Sequence, residues 1–157
     1  MNTQLESNNK GFTIIEVVLV LAIAGLIFLM VFIALPALQR SQRDTQRRED
    51  ISRFVSQINS YQTNNNGSVP SIATSSTSFL NSYMKQSDGE FKDPKTGENY
   101  TIVNSTDAEK VLSDGQIQYA QKAKCDGEKV ATSGASSRSV AVKIKLEGSG
   151  YFCKDNQ

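Results

Sequence analysis

The chain falls into two parts by the pattern of its apolar positions. From residue 12 to 38, 23 of 27 residues are apolar, whereas residues 39–157 hold 35 in 119. Residues 17–38 carry no charge over 22 positions. At ~1.5 Å per helical residue this run spans roughly 33 Å, enough for the hydrocarbon core of a bilayer. A cleavable secretory signal would have an apolar core of about 7–15 residues and a small-residue cleavage site. Here the run is longer, and Leu38-Gln39-Arg40 offers no such site. The pattern therefore predicts a retained membrane helix.

The helix is predicted to continue. Residues 39–50 are polar but contain neither Gly nor Pro, and Ile51, Phe54, Val55, Ile58 and Tyr61 then recur on one face. Thr63-Asn64-Asn65-Asn66-Gly67 is a stop signal. A helix from Phe12 to about Gln62 would be about 76 Å long, with Pro36 expected to kink or locally open it. Residues 63–78 read as a loop, Phe79, Leu80, Tyr83 and Met84 as one face of a short helix, and Asp88-Gly89 as its end. Asp93-Pro94-Lys95-Thr96-Gly97 has turn chemistry. Strands are predicted at 100–103, along Ile117, Tyr119, Ala123 and Cys125, and at 140–147. In the last, Val140, Val142, Ile144 and Leu146 alternate with Ala141, Lys143, Lys145 and Glu147. Gly148-Ser149-Gly150 turns the chain into Tyr151-Phe152-Cys153. The expected fold is α+β: a long N-terminal helix, transmembrane in its first half and amphipathic in its second, packed against a small antiparallel β-sheet. No repeat of 20–50 residues is visible.

Composition removes most catalytic classes. There are 17 Lys+Arg, 16 Asp+Glu, no His and two Cys, for a net charge of +1. A sequence-independent nucleic-acid binder needs a larger cationic excess, so no specific nucleic acid is expected as a partner. Without His there is no His general base, Ser–His–Asp triad or His-ligated zinc, and two Cys cannot build a four-Cys metal site. Scattered carboxylates at Asp88, Asp93, Asp107, Asp114 and Asp126 lack the spacing of a helix–loop–helix calcium site. Neither an enzyme site nor a metal or cofactor site is expected. Asn104-Ser105-Thr106 fits a glycosylation acceptor, a short motif with no weight by itself. Arg40, Arg43, Arg47 and Arg48 could touch lipid headgroups or nucleic acid. Asp44, Glu49 and Asp50 dilute them, and a solvated, internally paired helix face is the favoured reading.

Glu16 interrupts the simple anchor. It stands one residue before the charge-free run, where an unpaired carboxylate inside a bilayer costs about 2.5–3.5 kcal/mol on insertion scales. It is either solvated at headgroup level or neutralised by a partner cation. The segment Lys10-Gly11-Phe12-Thr13-Ile14-Ile15-Glu16, preceded by a short polar leader and followed by the apolar run, resembles the processing site of type IV prepilins. That resemblance implies cleavage between Gly11 and Phe12 by prepilin peptidase, N-methylation of Phe12, and a role for Glu16 in assembly. It implies a leader over 1–11, a transmembrane and assembly helix over 12–38, and an extracytoplasmic domain over 39–157 that includes the second half of the helix. Implied partners are other copies of the chain in a helical filament, the peptidase, an assembly platform in the membrane, and the bilayer before assembly. The leader would be cytoplasmic and the domain outside. Counted by Lys and Arg alone, the positive-inside rule gives the opposite orientation.

Cys125 and Cys153 could close a loop with 27 intervening residues, for which the chain-entropy estimate is roughly 3–4 kcal/mol. Two reduced thiols are the alternative. In pilins a C-terminal disulfide loop is common, and the resemblance implies one here. The segment from Cys125 to Asn156 further resembles pilins of small-genome candidate-phyla bacteria such as Saccharibacteria. Asp93, Pro94, Gly97 and Tyr100 form a pattern that resembles a turn in major pseudopilins and in some pilins. Pro36 lies deeper in the span than the kink proline usual in pilins. Three functions are thus expected in order: a type IV pilus subunit, a pseudopilin of a secretion or competence machine, and a single-pass membrane protein with a binding ectodomain.

Overall fold

A computed structural model describes residues 11–72 and 78–157. The chain divides into two compact units, Met1–Leu38 and Gln39–Gln157. Helix α1, Ile14–Asn64, contributes to both. It continues without a break through Pro36, so the expected local opening is absent. Proline costs the helix one backbone donor there, and the N–H(i) to C=O(i−4) ladder of the flanking residues carries the helix through it. In the first unit the helix is apolar and uncovered. An 18-residue window of mean hydropathy 3.2 has none of its residues buried.

In the second unit α1 buries Arg47, Ile51, Phe54, Val55 and Ile58. The predicted apolar stripe is the core, except that Tyr61 is only partly covered. The helix ends where Gly67 N–H donates to Gln62 O at 2.7 Å, with Gly67 at φ 78°. Only glycine adopts that φ freely, so the Asn-Gly pair supplies the stop that the sequence announced.

Part of the predicted loop, residues 73–77, lies outside the described residues. Helix α2, Ser78–Met84, follows and buries Phe79, Leu80 and Met84. A single 3₁₀ turn, Gln86–Asp88, closes on Gly89. Among the described residues six strands follow: β1 Thr101–Asn104, β2 Gln116–Gln121, β3 Lys124–Asp126, β4 Lys129–Ala131, β5 Val140–Lys145 and β6 Tyr151–Asp155. The main sheet has the order β1-β2-β5-β6, and β3-β4 is a separate hairpin. The fold is α+β and pilin-like, with a long helix packed against a small sheet.

Three details depart from the sequence pattern. First, β1 pairs with β2 in parallel, while β2–β5 and β5–β6 are antiparallel. The segment between β1 and β2 crosses back along the sheet, which a tight hairpin turn could not do. Second, Ala123 and Cys125 do not continue the face of Ile117 and Tyr119. Lys122 takes a left-handed conformation, φ 53°, which ends β2 and resets the alternation. Ile117 and Tyr119 join the main core, whereas Ala123 joins Ala120, Val130 and Ala141 in a second small cluster beside Cys125 and Cys153. Third, Lys143 is buried rather than solvated, 1% exposed. Its Nζ donates to Ala108 O at 3.2 Å and Lys110 O at 3.1 Å and lies 4.7 Å from the Tyr151 ring centroid. Burial pushes its pKa down. The outer face of the sheet is therefore covered by the crossover segment and the β3–β4 hairpin.

Candidate functional site

The N-terminal segment is built by helix-capping chemistry. Thr13 precedes the first helical residue, Ile14. The Thr13 backbone N–H and side-chain hydroxyl both donate to Glu16 Oε2 at 2.8 Å, and Glu16 N–H donates to Thr13 Oγ1 at 3.4 Å. This is a capping box, in which the first and fourth residues satisfy each other's orphan groups. The Thr-x-x-Glu spacing before an apolar run is a local signal that the sequence carries. In the isolated chain Glu16 thus has local donors and does not depend on another subunit's cation.

Phe12 is 90% exposed and Ile14 84% exposed. Phe12, Glu16, Val17, Val20 and Leu21 line an apolar groove along the helix. Among the described residues, nothing lies within 4 Å of a Cβ added at Gly11, so none of them places a steric demand on glycine at position 11.

A second constellation lies where α1 enters the domain. Arg47 is fully buried; its Nε donates to Asp93 Oδ1 at 2.7 Å and its Nη1 to Lys145 O at 3.1 Å. Burial opposes the Arg47 charge, but the hydrogen bond and charge of Asp93, with Glu147, hold its pKa above the ordinary value. Arg43 donates to both oxygens of Glu147, at 2.6 and 2.8 Å. Asp44 accepts the backbone N–H groups of Glu147 and Gly148 at 2.7 and 2.9 Å. The Tyr100 hydroxyl donates to Asp50 Oδ2 at 3.1 Å. Burial pushes the Asp50 carboxyl up, although the Tyr100 bond draws it down. Arg48 lies over the Phe152 ring at 5.0 Å.

These contacts correct the expectation of an internally paired helix face. The arginines reach across to the 93–97 turn, the end of β5 and β6, not to acids on the helix itself. They also give the Asp93–Tyr100 pattern a physical use. Asp93 and Tyr100 grip Arg47 and Asp50, which lie three residues apart on one helix face. Three of the four arginines after the span thus serve the folded domain, a reason for their presence independent of membrane orientation.

Cys125 and Cys153 are bridged, with Cα atoms 5.8 Å apart and a sequence separation of 28. The bridge ties the β3–β4 hairpin to β6 beside a cluster of three alanines and one valine. So small a cluster has little apolar area to hold the hairpin. Replacing both cysteines by serine is expected to cost about 2–5 kcal/mol. Urea unfolding followed by pulse proteolysis measures this, and an unchanged midpoint would contradict it.

Among the described residues no group of three or more His, Cys, Asp or Glu is placed to hold a metal. The Asn104 amide of the acceptor sequence donates to Ile72 O at 2.5 Å, so its nitrogen is engaged.

Residues 7–32 match a family model described as the prokaryotic N-terminal methylation motif. No curated protein and no solved structure matches the chain. The motif supports a prepilin-like protein of the type IV pilin or pseudopilin kind. With the apolar start of α1 it is consistent with a membrane-anchored precursor, and it points to a structural subunit. Nothing in these comparisons supports the finer resemblance to Saccharibacteria.

Proposed function

We propose that this chain is a type IV pilus subunit. Prepilin peptidase cuts between Gly11 and Phe12, Phe12 is N-methylated, and the helix from Phe12 onward carries the subunit from the membrane into an extracellular filament. The observation that carries this reading is the methylation motif over 7–32, set on a helix whose apolar surface is uncovered from its first turn. A surface so large and continuous belongs in lipid or against other helices. Cleavage frees an amine at Phe12 that keeps its charge when methylated. Glu16 of a neighbouring subunit is then the carboxylate that neutralises it in an apolar bundle. The bridge Cys125–Cys153 suits an oxidising exterior, which favours an external domain over the orientation given by the arginine count.

Gly11→Ala is expected to leave the fold unchanged, because the added Cβ meets open space, and to reduce or block processing. Intact-mass analysis of the membrane fraction decides it. A wild-type chain that still carries residues 1–11 beside an active peptidase would sink the proposal. So would normal cleavage of a β-branched variant at position 11.

The Asp93-Pro94-x-x-Gly97-x-x-Tyr100 turn favours a second reading, a pseudopilin of a secretion or competence machine. It shares the processing steps, and electron microscopy of surface filaments from a deletion strain separates the two. A single-pass membrane protein with a binding ectodomain would retain its leader, so N-terminal sequencing excludes or establishes it.

A further inference from the structure

We propose that Arg40 and Arg43 form a binding site for the phosphate of an anionic phospholipid headgroup, and that Glu147 passes from Arg43 to Arg47 when that site fills. The inference rests on the membrane-anchored state described above. Arg40 and Arg43 follow Leu38 by two and five residues, roughly 3 and 7.5 Å of helix rise. The headgroup layer on each side of a bilayer is about 5–8 Å deep. The two side chains are i and i+3 on one face. Arg40 is exposed and, among the described residues, has no ion-pair partner within 4.0 Å. A pair of guanidinium forks matches phosphate oxygens better than any other side-chain set.

Arg43 is already bound to Glu147, so a ligand must compete for it. The structure holds the means of exchange. Glu147 Oε1 lies 4.0 Å from Arg47 Nη2. Among the described residues that buried nitrogen has no hydrogen-bond partner, and Arg47 itself is 0% exposed. Glu147 therefore sits between the Arg43 guanidinium, which it engages, and the one open nitrogen of Arg47. A shift of about 1 Å closes a normal hydrogen bond to Nη2. When a phosphate takes Arg43, Glu147 is not stranded, and a buried donor gains its missing acceptor. The other nearby acids cannot replace Glu147: Asp44 is occupied by two backbone N–H groups, and Asp93 by Arg47 Nε and Thr96 N–H. Arg43 is also reachable, its side chain 29% exposed against 6% for Glu147. The device lets the domain hold lipid before assembly and recover the Arg43–Glu147 pair once the subunit leaves the bilayer.

The test is a double-mutant cycle of Arg43→Gln and Glu147→Gln on the full chain, one per nanodisc, read as urea midpoints by pulse proteolysis. Discs of phosphatidylcholine alone are compared with discs containing phosphatidylglycerol. A third arm adds inorganic phosphate to phosphatidylcholine discs at matched ionic strength. The coupling is expected to be clear in phosphatidylcholine, to fall by at least half with phosphatidylglycerol, and to withstand free phosphate. Equal coupling in both lipids, or none in phosphatidylcholine, overturns the exchange. Loss of coupling with inorganic phosphate alone overturns the lipid assignment. Arg47→Lys, which removes Nη2, should keep the coupling insensitive to lipid; if that variant does not fold, the first cycle still decides. Leader processing is read separately by mass, so failure here and failure of the pilin reading are distinguishable.

Discussion

Asp93→Ala is expected to lower the unfolding free energy of the 39–157 unit by about 3–5 kcal/mol, because it takes the hydrogen-bonded carboxylate away from a fully buried guanidinium. Arg47 and Asp93 both have 0% exposed side chains. Without Asp93, Arg47 keeps its bond to Lys145 O and the 4.0 Å approach of Glu147, and the turn loses the carboxylate that accepts Thr96 N–H at 3.2 Å. Against a typical domain stability of about 5–15 kcal/mol, such a loss is large. Asp93→Asn retains an acceptor but not the charge, so it should cost less. Replacing both residues by apolar ones of similar volume should recover part of the loss, since the desolvation penalty disappears with the pair. Urea midpoints of the full chain test this series. An Asp93→Ala midpoint equal to wild type would mean that the pair contributes nothing. Acid should act through the neighbouring pair. Arg43, first by its hydrogen bond, holds the Glu147 carboxyl below its ordinary range. A depressed carboxylate stabilises the fold fully above its unfolded pKa, about 4.3. That contribution is lost as pH falls through the lower folded value.

Glu16→Ala should leave insertion and leader cleavage intact and sharply reduce filament assembly. The carboxylate has two separable uses. In the chain alone it completes the capping box with Thr13; in the proposed filament it neutralises the Phe12 amine of a neighbour. Glu16→Gln distinguishes them. Glutamine can close a capping box but carries no charge. If the charge pair drives assembly, Gln fails nearly as badly as Ala, because either leaves a cation unpaired in an apolar bundle. If the helix start is what matters, Gln restores filaments. Sheared surface filaments compared with the membrane pool give the readout, and wild-type assembly by Glu16→Gln would overturn the intersubunit pair.

Whatever depends on local periodicity can be read along the chain. The uncovered apolar run, the Ile51–Ile58 stripe, the Asn66-Gly67 stop, and the positions of α2, β1, β2 and β5 follow from side-chain spacing along one segment. The candidate processing residues Gly11, Phe12 and Glu16 were legible for the same reason, since they are neighbours in the chain. So was the Thr13–Glu16 capping box, a Thr-x-x-Glu spacing ahead of an apolar run. Other features arise where segments meet across long separations in the chain. Nothing along the chain marks Arg47 as buried: its acid partner is 46 residues away, and Glu147 is 104 residues from Arg43. The parallel β1–β2 pairing and the flip at Lys122 depend on how the crossover and hairpin cover the outer face. That cover also buries Lys143, which alternation alone assigns to solvent. Hydrophobic period records which face of one element is apolar; it cannot record which polar side chains gain partners when two elements close over them.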